Sequence, residues 1–401
     1  MPSPLPAVRP ELGPRTSAPA QSLHALQLGM GWASTPAGNG LDRMFSGLTD
    51  HLPNAGVDVS AWATGTETFP SASSNRVRLF APSSASLPKR LWAVRRSLQS
   101  MEAFAGADLI ASHFALYTAP VLDLIGDTPL VVHFHGPWAA ESAIEGASAL
   151  EVRLKHWLER QVYQRADRLI VLSTAFRDVL ATEYGVDPSR IHVVPGGVDV
   201  DRFMPTQSQN MARSAWGLCP HQPLIVAVRR LVQRVGLDSL IDAVDRLRHT
   251  EPGILLLIAG KGPLADRLQH LIQDRDLTRH VRLLGFVPDA DLPTLYRAAD
   301  VSIVPSTAWE GFGLVAAESL AAGTPALVTP VGGLPEVVRP LSESLVLADH
   351  TPAALADGLK EAFRGRRPFP ASERCHQYAR AHFDWPVIAA QTHDVYAEVC
   401  A

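Results

Sequence analysis

Lysine is scarce in this 401-residue chain, standing only at Lys89, Lys155, Lys261 and Lys360, while arginine supplies the rest of the 36 basic side chains. Chemistry that needs a lysine-bound cofactor therefore has few places to sit. Neither Lys261, in Gly260-Lys261-Gly262-Pro263, nor Lys360 has the setting of one. Cysteine is almost as rare: Cys219, Cys375 and Cys400 form no CxxC pair and no even-numbered framework. That excludes a disulfide scaffold and fits a reducing, cytoplasmic compartment. Long apolar runs are missing too. The best, Ile254 to Ala259, is far short of the roughly 18 to 20 residues a membrane helix needs and reads as a strand. Charge of either sign is not in excess, the formal net charge being -4, so nucleic acid is a poor partner. Residues 1–22 lack the continuous apolar region of a signal peptide and carry Pro2, Pro4, Pro6, Pro10, Pro14 and Pro19; they read as a disordered tail.

What is present is an alternation of short apolar runs with longer amphipathic stretches, the pattern of parallel sheets with helical crossovers. Strands are expected at His24 to Met30, Val57 to Trp62, Leu109 to Ser112, Leu130 to Phe134, Arg168 to Leu172 and His192 to Val194. A second series covers Leu224 to Val228, Ile254 to Ala259, Val281 to Leu284, Val301 to Val304, Ala326 to Thr329 and Ser344 to Leu347. The Gly- and Pro-rich stretch Pro195 to Pro205 separates them. The chain is thus expected to hold an α/β domain over 23–204, a second over 205–370 and C-terminal helices over 371–401. Two such domains create a crevice at the C-terminal strand ends.

Four motifs follow strands. Thr35 to Gly40 is a small-residue loop whose amides can approach a phosphate or sugar, or simply a tight turn. In Val131 to Trp138 an apolar strand ends in His135-Gly136, which points His135 into the crevice; His133, two residues earlier, suits a structural role. Arg229 to Gly236 places cations where a leaving diphosphate can be neutralised, or is a solvated turn. In Pro305 to Glu318, Glu310 lies in a strand-to-helix loop, Gly311 to Leu314 begin a helix whose amides suit a diphosphate, and Glu318 lies about two turns in. No carboxylate or cysteine cluster completes a metal site around the histidines.

Together these motifs resemble the family 4 glycosyltransferases of GT-B fold, a retaining group. The likeness runs through Gly40, His135-Gly136, Pro195-Gly196-Gly197-Val198-Asp199, Arg230-Leu231-Val232 with Gly236, and Gly260-Lys261-Gly262-Pro263. It continues in Gly285-Phe286-Val287, the Glu310 to Glu318 element, and Gly323-Thr324-Pro325 with Gly332-Gly333. The resemblance implies two Rossmann-like domains facing across a cleft, with final helices between Tyr378 and Tyr396 crossing back to the first. It implies Gly40 near the donor phosphates, His135 at the reacting sugar, Arg230 on the diphosphate, Glu310 on the donor sugar and Glu318 on the ribose. It also implies a base-binding turn at Phe286 and Val287, and Gly260, Gly311, Phe312, Gly313 and Leu314 around the donor. Two departures are Asn39-Gly40 for the usual Gly-Gly and Gly196 for the usual Asn. A third is Val235 where the family carries a diphosphate-binding lysine; Arg234 is expected to take over that function.

The activity so implied is transfer of a sugar from a UDP- or GDP-sugar to a glycan, lipid or small-molecule acceptor, with retention and with no cofactor or metal. Asp199-Val200-Asp201 and Asp289-Ala290-Asp291 have DxD spelling in loop contexts that match other features of the fold. The rival readings are an epimerase or phosphorylase on the same fold, and a non-catalytic sugar-nucleotide binding subunit. Tyr117 and Trp138 are either sugar-stacking or packing residues. Residues 87–98 alternate Lys89, Arg90, Arg95 and Arg96 with Leu87, Leu91, Trp92, Val94 and Leu98. That pattern suits either a core-facing helix or peripheral contact with anionic lipid at the inner membrane face.

Overall fold

A computed structural model describes residues 22–32, 40–65, 76–99, 106–204 and 206–401. The expected tail up to residue 21 and the loop Thr35 to Asn39 lie outside the described residues. Seven strands form the first sheet: β1 (Leu23–Gly31), β2 (Val57–Thr64), β3 (Val77–Ala81), β4 (Leu109–Ser112), β5 (Leu130–Phe134), β6 (Arg168–Val171) and β7 (Ile191–Val193). Five form the second: β8 (Leu224–Val228), β9 (Leu255–Ala259), β10 (Val281–Gly285), β11 (Val301–Val304) and β12 (Ala326–Val328). All neighbours pair in parallel. Central strands such as β5 and β9 are buried along their whole length, because helices cover both faces of each sheet.

The strand orders are β3-β2-β1-β4-β5-β6-β7 and β10-β9-β8-β11-β12. In the first, the direction of winding reverses between β1 and β4; in the second, between β8 and β11. A crevice opens at such a switch point because the two flanking connections leave to opposite faces. The segments leaving β1 and β4 carry the helix Gly40–His51 and His113, and those leaving β8 and β11 carry Arg229 and Glu310. This topology is why four distant stretches of sequence come together.

Two strand expectations need correction. Edge strand β3 was not anticipated, since Arg78 interrupts its apolar run. The expected strand at Ser344 to Leu347 is instead a 3-10 turn, Glu343–Leu345, followed by a single bridge from Val346 to Val328. Among the described residues no helix is long and apolar enough to cross a membrane.

The chain crosses between the sheets twice, and the crossings are tied together. Val198 donates its amide to the Phe383 carbonyl at 2.8 Å and bridges Asp384. The helix Ser372–Phe383 buries Cys375, Ala379 and Phe383 in the core of the second sheet. Asp384 then caps the helix Trp385–Cys400, whose Trp385, Ile388, Ala389, Val395 and Tyr396 join the core of the first. Trp385 lies so close to Gly47 and Gly197 that a Cβ at either would fall 1.9 and 2.4 Å from its ring.

Candidate functional site

The wall built on the second sheet is ionic. The exit of β9 presses on that of β8: Gly260 has φ +148°, and a Cβ there would lie 1.8 Å from the Arg229 carbonyl oxygen. Only glycine fits, and the contact fixes the backbone of Arg229. Arg229 Nη2 donates to Ser306 Oγ at 2.9 Å and to Glu310 Oε2, which also accepts from Ser306 Oγ at 2.7 Å. Burial pushes the Glu310 carboxyl up, but the Arg229 and Arg234 guanidiniums outweigh it and hold the group below the usual carboxylate range. The loop bearing it is strained, with Trp309 at φ +46°. It is pinned by Gly333, whose amide donates to the Glu310 carbonyl at 2.8 Å.

The 3-10 turn Gln233–Val235 turns Val235 into an apolar cluster with Leu231, Val232 and Leu237. Arg234 is thereby directed to the site, where Nη1 donates to the Trp309 carbonyl at 3.1 Å and Nη2 lies 3.7 Å from Glu141. Arg230 is exposed, and its charge acts on Glu141 together with that of Arg234. Glu141 belongs to the helix Trp138–Ile144 of the first sheet, so this is a contact across the cleft.

The opposite wall is made of imidazoles. His135 leaves β5 half-buried and stacks with His113, the ring centroids 5.4 Å apart and His113 Nδ1 3.2 Å from His135 Nε2. His113 stacks in turn on His133 at 4.2 Å, and His133 Nε2 meets the Tyr396 hydroxyl at 2.7 Å. Burial without a counter-charge pushes His135 down to about 4 and the other two well below the usual value, so all three are neutral. The turn after His135 is held by buried Glu159, which accepts from the amides of Trp138 at 2.9 Å and Ala139 at 3.2 Å and from the hydroxyls of Tyr163 and Tyr184.

Between the walls, Gly313 at φ +86° begins the helix Leu314–Ala321. The Leu314 side chain reaches Gly40, where a Cβ would be 3.6 Å away. Gly311 packs on the Phe176 ring of the first sheet, a Cβ there falling 2.4 Å from it, and Phe312 is buried against Phe383. Glu318, 5% exposed, accepts from Arg43 Nη1 at 3.2 Å and from the Tyr296 hydroxyl at 3.3 Å. Arg43 comes from the helix Gly40–His51 and also donates to Asp289 at 2.6 Å. Val287 is buried beside this pair in sequence, and Phe286 lies half-buried under Lys261 Nζ, 5.2 Å from the ring centroid.

Gly40, His135, Arg230, Arg234, Glu310, Gly311, Gly313, Leu314 and Glu318 therefore converge on one cleft. Arg229, the neighbour of Arg230, is the direct partner of Glu310. Tyr117 is fully buried and accepts from Arg90 Nη1 at 2.7 Å, so its ring serves packing, while the half-buried Trp138 packs on Phe114 under Lys155. Asp201 and Asp289 are engaged by Arg380 and Arg43. Sequence reasoning missed Arg43, His113 and Glu141, and read Arg229 only as one of the cations after β8. Of the three, His113 carried a signal, being the first residue after β4 at the switch point.

Two doubly wound sheets with facing switch points and a C-terminal helix that crosses back define the GT-B architecture. The profile of Glycosyltransferase Family 4 matches residues 38–202, and that of Glycosyl transferases group 1 matches residues 209–382. D-inositol 3-phosphate glycosyltransferase of Corynebacterium glutamicum is 32% identical over 307 residues, 73% of each chain. Six further enzymes of that name, 32 to 37% identical, are spanned over only 53 to 59% of their length. Sucrose-phosphate synthase of Thermosynechococcus elongatus superposes with a TM-score of 0.77 at 23% identity, over 94% of this chain and 98% of that one. Anabaena HepE in complex with UDP-glucose gives 0.74 at 20%, over 94% and 100%. The chain belongs to the group 1, family 4 glycosyltransferases and is a glycosyltransferase.

Proposed function

We propose that this enzyme moves a sugar from a nucleotide diphosphate donor to a polyol hydroxyl with retention and without a metal ion. The observation that carries the reading is the convergence of Arg229, Arg234, Glu310 and Ser306 on the cleft, opposite His135. HepE bound to UDP-glucose and starch synthase IV bound to ADP support a nucleotide-sugar donor. The named relatives, D-inositol 3-phosphate glycosyltransferase and glycogen synthase, support a hydroxyl acceptor. In this reading the part of the chain before about residue 205 receives the acceptor and the part after it holds the donor.

Glu310, ionised and oriented by Arg229 and Ser306, accepts hydrogen bonds from donor-sugar hydroxyls. Arg230, Arg234 and the amides that open the helix Leu314–Ala321 meet the diphosphate, where negative charge grows as the bond to the anomeric carbon breaks. Arg234 supplies the cation that Val235 does not. The acceptor oxygen bonds to the anomeric carbon from the face the diphosphate leaves, and its proton passes to the departing phosphate oxygen. Glu318 takes the ribose diol once Arg43 yields it. The test is a thermal-shift screen with UDP-, GDP- and ADP-sugars, followed by diphosphate release with and without an acceptor pool containing inositol phosphates and oligosaccharides. Acceptor-dependent release supports transfer; release of free sugar nucleotide epimers, or binding without turnover, supports the rival readings.

Location at the inner membrane face is part of the same proposal. On the helix Leu87–Gln99, Arg95 is engaged by Asp123 and Arg90 by Tyr117, which leaves Lys89, Trp92 and Arg96 facing outward, with Trp92 63% exposed. Flotation with phosphatidylglycerol vesicles should fall when Lys89 and Arg96 are changed to Glu; absence of flotation by the wild type rejects the idea.

A further inference from the structure

His113 and His135 share one hydrogen bond, and both rings are neutral. A neutral imidazole has one N–H and one bare nitrogen, so in this pair one ring donates and the other accepts. The remaining nitrogen of each ring decides which. His113 is 2% exposed, and its Nε2 is buried without a partner among the described residues. Its neighbours are apolar or aromatic: Phe45 stands edge-on with its centroid 5.2 Å away, and His133 stacks on one face. A proton on Nε2 would be a buried donor with no acceptor, a costlier arrangement than a bare ring nitrogen against carbon. The proton therefore sits on Nδ1 and is donated to His135 Nε2.

That choice propagates. With Nε2 accepting, neutral His135 carries its own proton on Nδ1, and Nδ1 takes no partner among the described residues. We infer that His113 is a positioning residue that locks His135 in the Nδ1–H tautomer, so that the cleft meets an imidazole donor suited to a hydroxyl or ring oxygen of the donor sugar. The inference rests on the proposed reading of His135 as a sugar-site residue. It adds that His135 donates a hydrogen bond there and does not accept the acceptor's proton. His133 and Tyr396 support the arrangement from behind by holding the ring on which His113 stacks.

The test uses the full-length enzyme labelled with 15N-histidine, with His135→Asn used to assign the His135 ring nitrogens. The expected wild-type spectrum shows a protonated Nδ1 and a bare Nε2 for His135. His113→Phe keeps the stack but removes the donor, so the His135 tautomers should become mixed. Its kcat should fall about tenfold, with the donor KM within about twofold. His113→Asn places an amide N–H where Nδ1–H stood and should restore both the tautomer and most of kcat. A wild-type His135 protonated at Nε2 overturns the inference, as does a His113→Phe spectrum identical to the wild type. If His113→Phe does not fold, the wild-type and His113→Asn spectra still decide. Failure of the underlying reading looks different: His135→Asn would transfer sugar normally whatever the tautomer.

Discussion

On the first-sheet wall of the cleft, His113, His133 and His135 are kept neutral, whereas on the second-sheet wall Glu310 is kept charged, although burial penalises the ionised form in every case. The difference is the company. No counter-charge offsets desolvation of the imidazoles, while two guanidiniums do so for Glu310. The consequence is a contrast in character: an uncharged wall faces an ionic one across the cleft. Glu141 is the exception on the first side. Burial raises its carboxyl, Arg234 draws it back, and it meets the cations of the opposite wall.

The sharpest way to break the comparison is to remove the charge at its centre. Glu310→Ala should lower kcat/KM by about a thousandfold while the fold survives, a loss in the range seen when one transition-state-stabilising group is deleted. Near-normal turnover would sink the site assignment. Arg229→Ala is expected to lower stability as well as activity, by about 3 kcal/mol, because it strands Glu310 as a buried carboxylate with only Arg234 and the Ser306 hydroxyl beside it. Chemical denaturation of the two variants measures the pair from both ends: Glu310→Ala should also lose stability, because it leaves the Arg229 guanidinium, 8% exposed, without its carboxylate.

Glu159 sharpens the comparison from the neutral side. Burial pushes its carboxyl up to about 7, against hydrogen bonds from Tyr184, Ala139, Trp138 and Tyr163 that pull the other way. The folded value lies above the unfolded one near 4.5. The stability it contributes is therefore present below pH 4.5 and lost as pH rises through 7, a change of about 3 kcal/mol. Glu159→Gln should remove that slope. Denaturation midpoints of both proteins from pH 4.5 to 8 measure it, and parallel curves would show that Glu159 titrates normally.

How much of this was legible depends on whether a residue's role is local. The strands β4, β5, β8 and β11 are mostly apolar runs, each followed at once by His, Arg or Pro, so their existence and the exits at His135 and Glu310 could be read directly. Edge strand β3 could not, because an edge tolerates Arg78 on its open face. The motif marks Arg229 and Arg230 alike as cations at the exit of β8, whereas the close approach of Gly260 that aims Arg229 at Glu310 exists only once β8 and β9 pair. Tyr117 has the composition of a sugar platform, but Arg90 and the packing of Phe80 and Phe114 claim it. Arg43 was invisible for the strongest reason: its partners Glu318 and Asp289 lie 275 and 246 residues away.

Arg43 also gives the mildest and most discriminating prediction, because it is the cation that the neutral side lends to the ionic one. It holds Glu318, whose carboxyl burial pushes up and Arg43 pulls down, and it joins Arg202 on Asp289. If Glu318 takes the donor ribose, the diol and Arg43 compete for the same oxygens. Arg43→Ala should then tighten donor binding by about fivefold while lowering the melting temperature of the unliganded enzyme. Calorimetric titration with the donor identified in the screen reads the first effect and a thermal melt the second. Weaker binding in Arg43→Ala would place the guanidinium on the donor itself and turn the contact with Glu318 from a competitor into part of the nucleotide site.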